Sequence, residues 1–118
     1  MIAVLFTYLP LLLLTLAIEL AIVFMLSPAP RRDPLRACVA LNLCTHPLAT
    51  LLCWYLPIES DGTFLLIELV IELVVFACEW LGYSRLLSHT PIKAMRLALL
   101  ANIGSLLAGL VLWALPYN

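Results

Sequence analysis

The chain has 118 residues, of which 65% are hydrophobic and 11% charged, with a formal net charge of −1. A soluble domain this small buries the lowest fraction of its surface and cannot hide so much apolar side chain, and its charged content would be roughly a quarter. Disorder and nucleic-acid binding both require more charge and less hydrophobicity, and four cysteines are too few for a disulfide-stapled secreted module. The composition predicts an integral membrane protein.

Transmembrane helices need about 20 mostly apolar residues, and four such runs follow one another, at about 2–26, 35–56, 63–87 and 94–115. The first ends in Ser27, Pro28, Ala29 and Pro30, followed by Arg31, Arg32, Asp33 and Pro34. The second stops at Pro57, and a short turn over 58–62 leads into the third; a polar stretch from Ser88 to Lys93 precedes the fourth. A cleaved signal peptide would place its positive charge before a shorter apolar core. Here the arginines follow a long run that contains Glu19, so the first span is read as a mature helix. The expected fold is therefore all-α: one transmembrane domain over 1–118, a polytopic four-helix bundle.

Lysine and arginine in short loops set orientation. Arg31, Arg32 and Arg36 lie at the first loop and Arg85, Lys93 and Arg96 at the third, whereas the second loop and both tails hold none. Loops 1 and 3 are thus expected in the cytoplasm and both termini outside, as suits a prokaryotic cytoplasmic membrane. Trp54, Tyr55, Trp113 and Tyr117 then fall at the outer interface, where amphipathic aromatics collect, with Trp80 and Tyr83 toward the inner side.

Polar groups inside the membrane are costly and mark a functional interior. On the third span Glu68, Glu72, Glu79 and Tyr83 fall within roughly 60° of arc at about 100° per residue. The second span groups Cys38, Asn42, His46 and Cys53, with Thr50 beside them. Tyr8, Thr15 and Glu19 share a stripe on the first, as do Asn102 and Ser105 on the fourth, near Ala98 and Gly109. With a rise of about 1.5 Å per residue, Glu19, Asn42, Glu79 and Asn102 share one layer toward the inner side. His46 and Glu72 stack above it, and Glu68 lies nearest the outer surface. The arrangement reads as a track.

Four carboxyls lie in these spans with no lysine or arginine at comparable depth. Burial disfavours the ionised carboxylate, and like charges nearby disfavour it further. The cluster must hold protons, hold a cation, meet water, or pair with a basic group on another subunit. The leading expectation is an interior carboxylate–histidine track of Glu19, Asn42, His46, Glu68, Glu72, Glu79, Tyr83 and Asn102 that conducts, transports or binds protons or cations. The alternative is an accessory subunit of a larger membrane complex, whose acids pair with partner groups. An intramembrane enzyme acting on a lipid or quinone, with Glu and His as acid and base, ranks third.

His46 and a second histidine at its depth would be needed for a bis-histidine haem, and His89 is far from that level in a loop expected to be solvated. His-Glu-x-x-His, paired Glu-x-x-His motifs and phosphate-binding glycine loops are all missing. A looser divalent metal site drawn from Glu19, His46, Glu72 and Glu79 stays open, since imidazole with carboxylate suits first-row ions. The cysteines form no Cys-x-x-Cys pair and are read as small apolar residues. Expected partners are the lipid bilayer and either further copies of the chain or other membrane subunits, with no nucleic acid.

Overall fold

The computed structural model describes residues 2–56 and 61–114. It is all-α, with four helices in chain order: α1 (Ile2–Leu26), α2 (Arg32–Tyr55), α3 (Asp61–Leu86) and α4 (Pro91–Ala114). The side chains of Trp54 and Trp113, and Tyr117 with most of the turn expected at 58–62, lie outside the described residues. Tyr55 is described and exposed.

Three helix starts precede the sequence expectation: α3 begins at Asp61 rather than 63, and α2 and α4 begin early because of proline. α2 begins at Arg32 and takes Pro34 into its first turn, where the missing N–H would have no intrahelical acceptor in any case. Asp33 beside it favours the positive end of the helix dipole. α4 begins at Pro91 itself, the first helical position, which proline suits. Thr90 caps it, its Oγ1 accepting from the Lys93 amide at 3.4 Å. Further along, Pro10 and Pro47 sit inside α1 and α2 without ending either helix.

Each helix packs on two neighbours: α1 on α2 and α4, and α3 on α2 and α4. The bundle is therefore a square, with α1 facing α3 and α2 facing α4 across its diagonals. The α1–α2 and α3–α4 connections meet at one end, where Pro28–Pro30, Asp33 and Pro34 share a groove of about 360 Å³ with Leu86–His89. That end is tied down locally. Arg31 Nε donates to the Phe24 and Ser27 carbonyls at 2.9 and 3.1 Å, satisfying the open end of α1, and its guanidinium lies 4.4 Å from the Phe24 ring. Trp80 Nε1 donates to the Pro91 carbonyl at 2.8 Å, joining α3 to the start of α4.

The distribution of polarity is inverted relative to a water-soluble protein. The largest fully buried side chains include Glu19, Glu79, Asn42 and Tyr83. Leucines such as Leu11, Leu48, Leu66, Leu73, Leu81 and Leu107 are more than half exposed. Among the described residues, Tyr8–Leu26, Arg32–Leu52 and Pro91–Val111 are long and apolar enough to cross a membrane; α3 is as long but carries Glu68, Glu72 and Glu79. With a long axis of 44 Å, the body matches a bilayer of about 40–45 Å including headgroups. These features are those of an integral membrane protein.

Candidate functional site

Four side chains, one from each helix, build the buried centre. Asn42 Nδ2 on α2 donates to Glu19 Oε2 on α1 at 2.7 Å, and Asn102 Nδ2 on α4 donates to Glu79 Oε2 on α3 at 2.5 Å. Each amide also donates to its own helix, Asn42 to the Cys38 carbonyl at 3.1 Å and Asn102 to the Ala98 carbonyl at 2.9 Å. Two hydroxyls complete the ring. Thr45 Oγ1 lies 3.2 Å from Glu79 Oε1, and Ser105 Oγ lies 3.1 Å from Glu19 Oε1. All four carboxyl oxygens thus have a partner, and Glu19, Glu79 and Asn42 have no exposed surface.

The centre repeats itself. Glu79 follows Glu19, Asn102 follows Asn42, and Ser105 follows Thr45, each by 60 residues, as Arg96 follows Arg36. Each asparagine bonds the glutamate of its own hairpin, 23 residues back. Each hydroxyl reaches the glutamate of the other hairpin. The α1–α2 and α3–α4 hairpins are therefore related by a pseudo-two-fold axis running between the two acids. Burial follows the same relation: Val23 and Tyr83, Ala37 and Leu97, and Cys38 and Ala98 are all buried.

The hydroxyls also disclose chemistry. Thr45 Oγ1 lies 3.0 Å from the Leu41 carbonyl as well as near Glu79, and Ser105 Oγ lies 3.0 Å from the Asn102 carbonyl as well as near Glu19. A hydroxyl has one proton to give and can also accept. When it donates to the backbone carbonyl, the carboxyl oxygen opposite must be the donor. The asparagine supplies a donor to the other oxygen. The hydroxyls can thus serve an ionised carboxylate as donors or a neutral carboxyl as acceptors.

The other candidate residues distribute around this centre. A ring nitrogen of His46 lies within 4.8 Å of one carboxyl oxygen from each of Glu19 and Glu79, which are themselves within that distance of each other. His46 is thereby brought against both acids of the inner layer. The reason is local: His46 is next to Thr45, whose hydroxyl meets Glu79, whereas Glu72 lies two turns before Glu79 along α3. Glu72 is half-buried and outside the cluster, and Glu68 is exposed. Tyr83 is fully buried one turn beyond Glu79, in a core with Val23, Cys38, Ala94, Leu97 and Ala98 that closes the centre toward the 26–32 and 86–91 connections. His89, expected in water, is half-buried with a buried Nδ1. Cys38 is buried, and Cys44 and Cys78 are exposed; all three are free thiols.

Thr45 was not singled out by the polar-stripe pattern, because threonine is common on helix surfaces. The 60-residue spacing that pairs it with Ser105 is the signal that finds it. No family model, curated protein or solved structure matches this chain. Its function must be argued from the centre itself.

Proposed function

We propose that this chain crosses the membrane four times, with loops 1 and 3 in the cytoplasm and both termini outside, and that its buried centre takes up and passes protons or cations. The observation that carries this reading is the convergence of Glu19 and Glu79, both without exposed surface, on hydroxyls that can donate to a carboxylate or accept from a neutral carboxyl. All six lysines and arginines lie at 31–36 and 85–96, so no lysine or arginine neutralises the acids from within. Two glutamines would satisfy the same amides and hydroxyls without any ionisable group, so a purely structural role gives no reason for glutamate. Glu72 and Glu68, progressively more exposed along α3, extend the path toward the second loop.

The test is proton or monovalent-cation flux in proteoliposomes containing the purified chain, with chelator present. Glu19→Gln and Glu79→Gln are expected to abolish flux, whereas Asp33→Asn, exposed in the first turn of α2, retains it. Undiminished flux in both buried-acid variants overturns the reading. Orientation is checked by labelling Ser88→Cys with a membrane-impermeant maleimide, which should react from the cytoplasmic side only.

A second reading, an accessory subunit of a larger membrane complex, is favoured by one feature. A side chain at Gly109 on α4 would meet nothing within 4 Å among the described residues, and a glycine there lets a partner helix approach closely. The native mass of the gently extracted complex separates the two: additional chains favour the subunit, and a monomer or homo-oligomer favours autonomous function.

A further inference from the structure

We infer that Glu19, His46 and Glu79, with the amide oxygen of Asn42, form a binding site for one divalent first-row transition-metal ion. This rests on the proposed cation-handling interior and names the class of cation.

Three donor atoms from three helices lie within 4.8 Å of one another. Nitrogen and oxygen ligands bind zinc-like ions at about 2.0–2.2 Å, which places them about 3–4 Å apart around the ion. Small side-chain rotations bring this set to that spacing. Building a metal site from facing helices in a bundle interior is also an efficient use of the fold, since each helix contributes one inward side chain.

One further donor and one unpartnered ring nitrogen point the same way. Asn42 has no exposed surface. Its amide orientation is decided by its neighbours, because Glu19 Oε2 and the Cys38 carbonyl both accept from Nδ2. That leaves Oδ1 buried and without a hydrogen-bond partner among the described residues. His46 Nε2 is likewise buried and without a partner. Buried polar atoms are nearly always satisfied, and each exception calls for an explanation such as an ion. A metal ion between the acids accepts both lone pairs.

Charge and ligand type select the ion. Two carboxylates with a neutral imidazole carry −2, which one divalent cation cancels in a setting where an uncompensated charge is costly. When the ion enters, the two carboxyl protons leave to water, so the net charge of the centre stays the same. Calcium and magnesium prefer all-oxygen shells, whereas imidazole with carboxylate suits zinc, manganese, iron or cobalt. Asn102, Thr45 and Ser105 then orient the carboxylates from outside the ligand set, as outer-shell partners do in metal sites. Each carboxylate oxygen has two lone pairs and can ligate while accepting one such bond. The pseudo-two-fold relation places the ion between the two acids. His46 and Asn42 break the symmetry: Leu106 occupies the position related to His46, and only Asn42 of the two asparagines has an unpartnered amide oxygen among the described residues.

The experiment is a Co²⁺ titration of the full chain, stripped of metal and held in detergent micelles, followed by visible absorption. Saturation near one equivalent with ligand-field bands is expected, and Zn²⁺ should displace the cobalt. His46→Gln and Glu79→Gln should each weaken binding by at least about tenfold, with Asp33→Asn, exposed in the first turn of α2, equal to the parent. Retained helical circular dichroism and gel-filtration position identify variants that still fold. X-ray absorption of the parent complex gives a readout independent of any variant, and should show one imidazole in the cobalt shell. A parent chain that binds no Co²⁺ at millimolar concentration overturns the inference, as does binding that His46→Gln and Glu79→Gln leave unchanged or a cobalt shell without imidazole. The chelated flux assay reads proton handling separately, so loss of the metal site and loss of the wider reading are distinguishable.

Discussion

Replacing Asn102 by leucine removes the amide donor from Glu79 Oε2 and leaves a buried carboxyl oxygen without a partner. Stranding a buried polar atom costs about 1–3 kcal/mol. Thr45→Val removes a longer contact to the same acid, and an interhelical hydrogen bond within a membrane contributes about 0.6 kcal/mol on average. The expected ranking in denaturant unfolding from mixed micelles is therefore Asn102→Leu well above Thr45→Val. The pseudo-two-fold relation adds a stricter expectation, that Asn42→Leu should cost about as much as Asn102→Leu. A Thr45→Val variant as damaging as Asn102→Leu would contradict this account of the centre. Thiol chemistry follows from burial at the same scale. In the folded chain Cys38 should resist a membrane-permeant maleimide that modifies exposed Cys44 and Cys78, and comparable labelling of all three would show that the core around Tyr83 is open.

Between elements, two glycines allow the hairpins to approach. A Cβ at Gly82 on α3 would run into the end of Leu41 on α2, and one at Gly104 on α4 into the end of Ile22 on α1. Both positions lie at contacts between the two hairpins. Alanine there asks only a flexible side-chain tip to move, whereas a bulkier residue forces the helices apart, and overpacking a close contact costs about 1–3 kcal/mol. Gly82→Val and Gly104→Val should lower the melting temperature in detergent, and Gly109→Val should not. If Gly109→Val spares the isolated chain but impairs function in the native membrane, its face is occupied there by another helix.

The whole molecule is two equivalent hairpins held by the α2–α3 and α1–α4 contacts and by two polar crossings, Thr45 to Glu79 and Ser105 to Glu19. No covalent continuity is needed for any of these. A chain cut between 57 and 60, with both halves co-expressed, should therefore reassemble and co-purify. Shielding of Cys38 in the reassembled pair would report native packing, and halves that never associate would show that the linker, rather than the crossings, holds the body together.

How much of this was legible in the sequence differs by scale. Apolar length and the rarity of charge predict a membrane protein, because no soluble fold of 118 residues can bury that much hydrocarbon. The same apolar runs predict four helices. The polar start of α3 at Asp61 escapes notice, as do the first turns of α2 and α4, since proline reads as a break until its place in the first turn is seen. Helical rise and periodicity bring Glu19, Asn42, Glu79 and Asn102 to one depth and one interior, as these are properties of each helix alone. Which side chains touch is a property of the arrangement. The square order of the helices sets Glu19 against Glu79 across a diagonal, draws His46 to them, and makes Thr45 and Ser105 the crossings between hairpins. Periodicity fixes the face and height of a residue on its own helix, but the angle and partner of that face depend on packing against three others, and that only the tertiary structure decides.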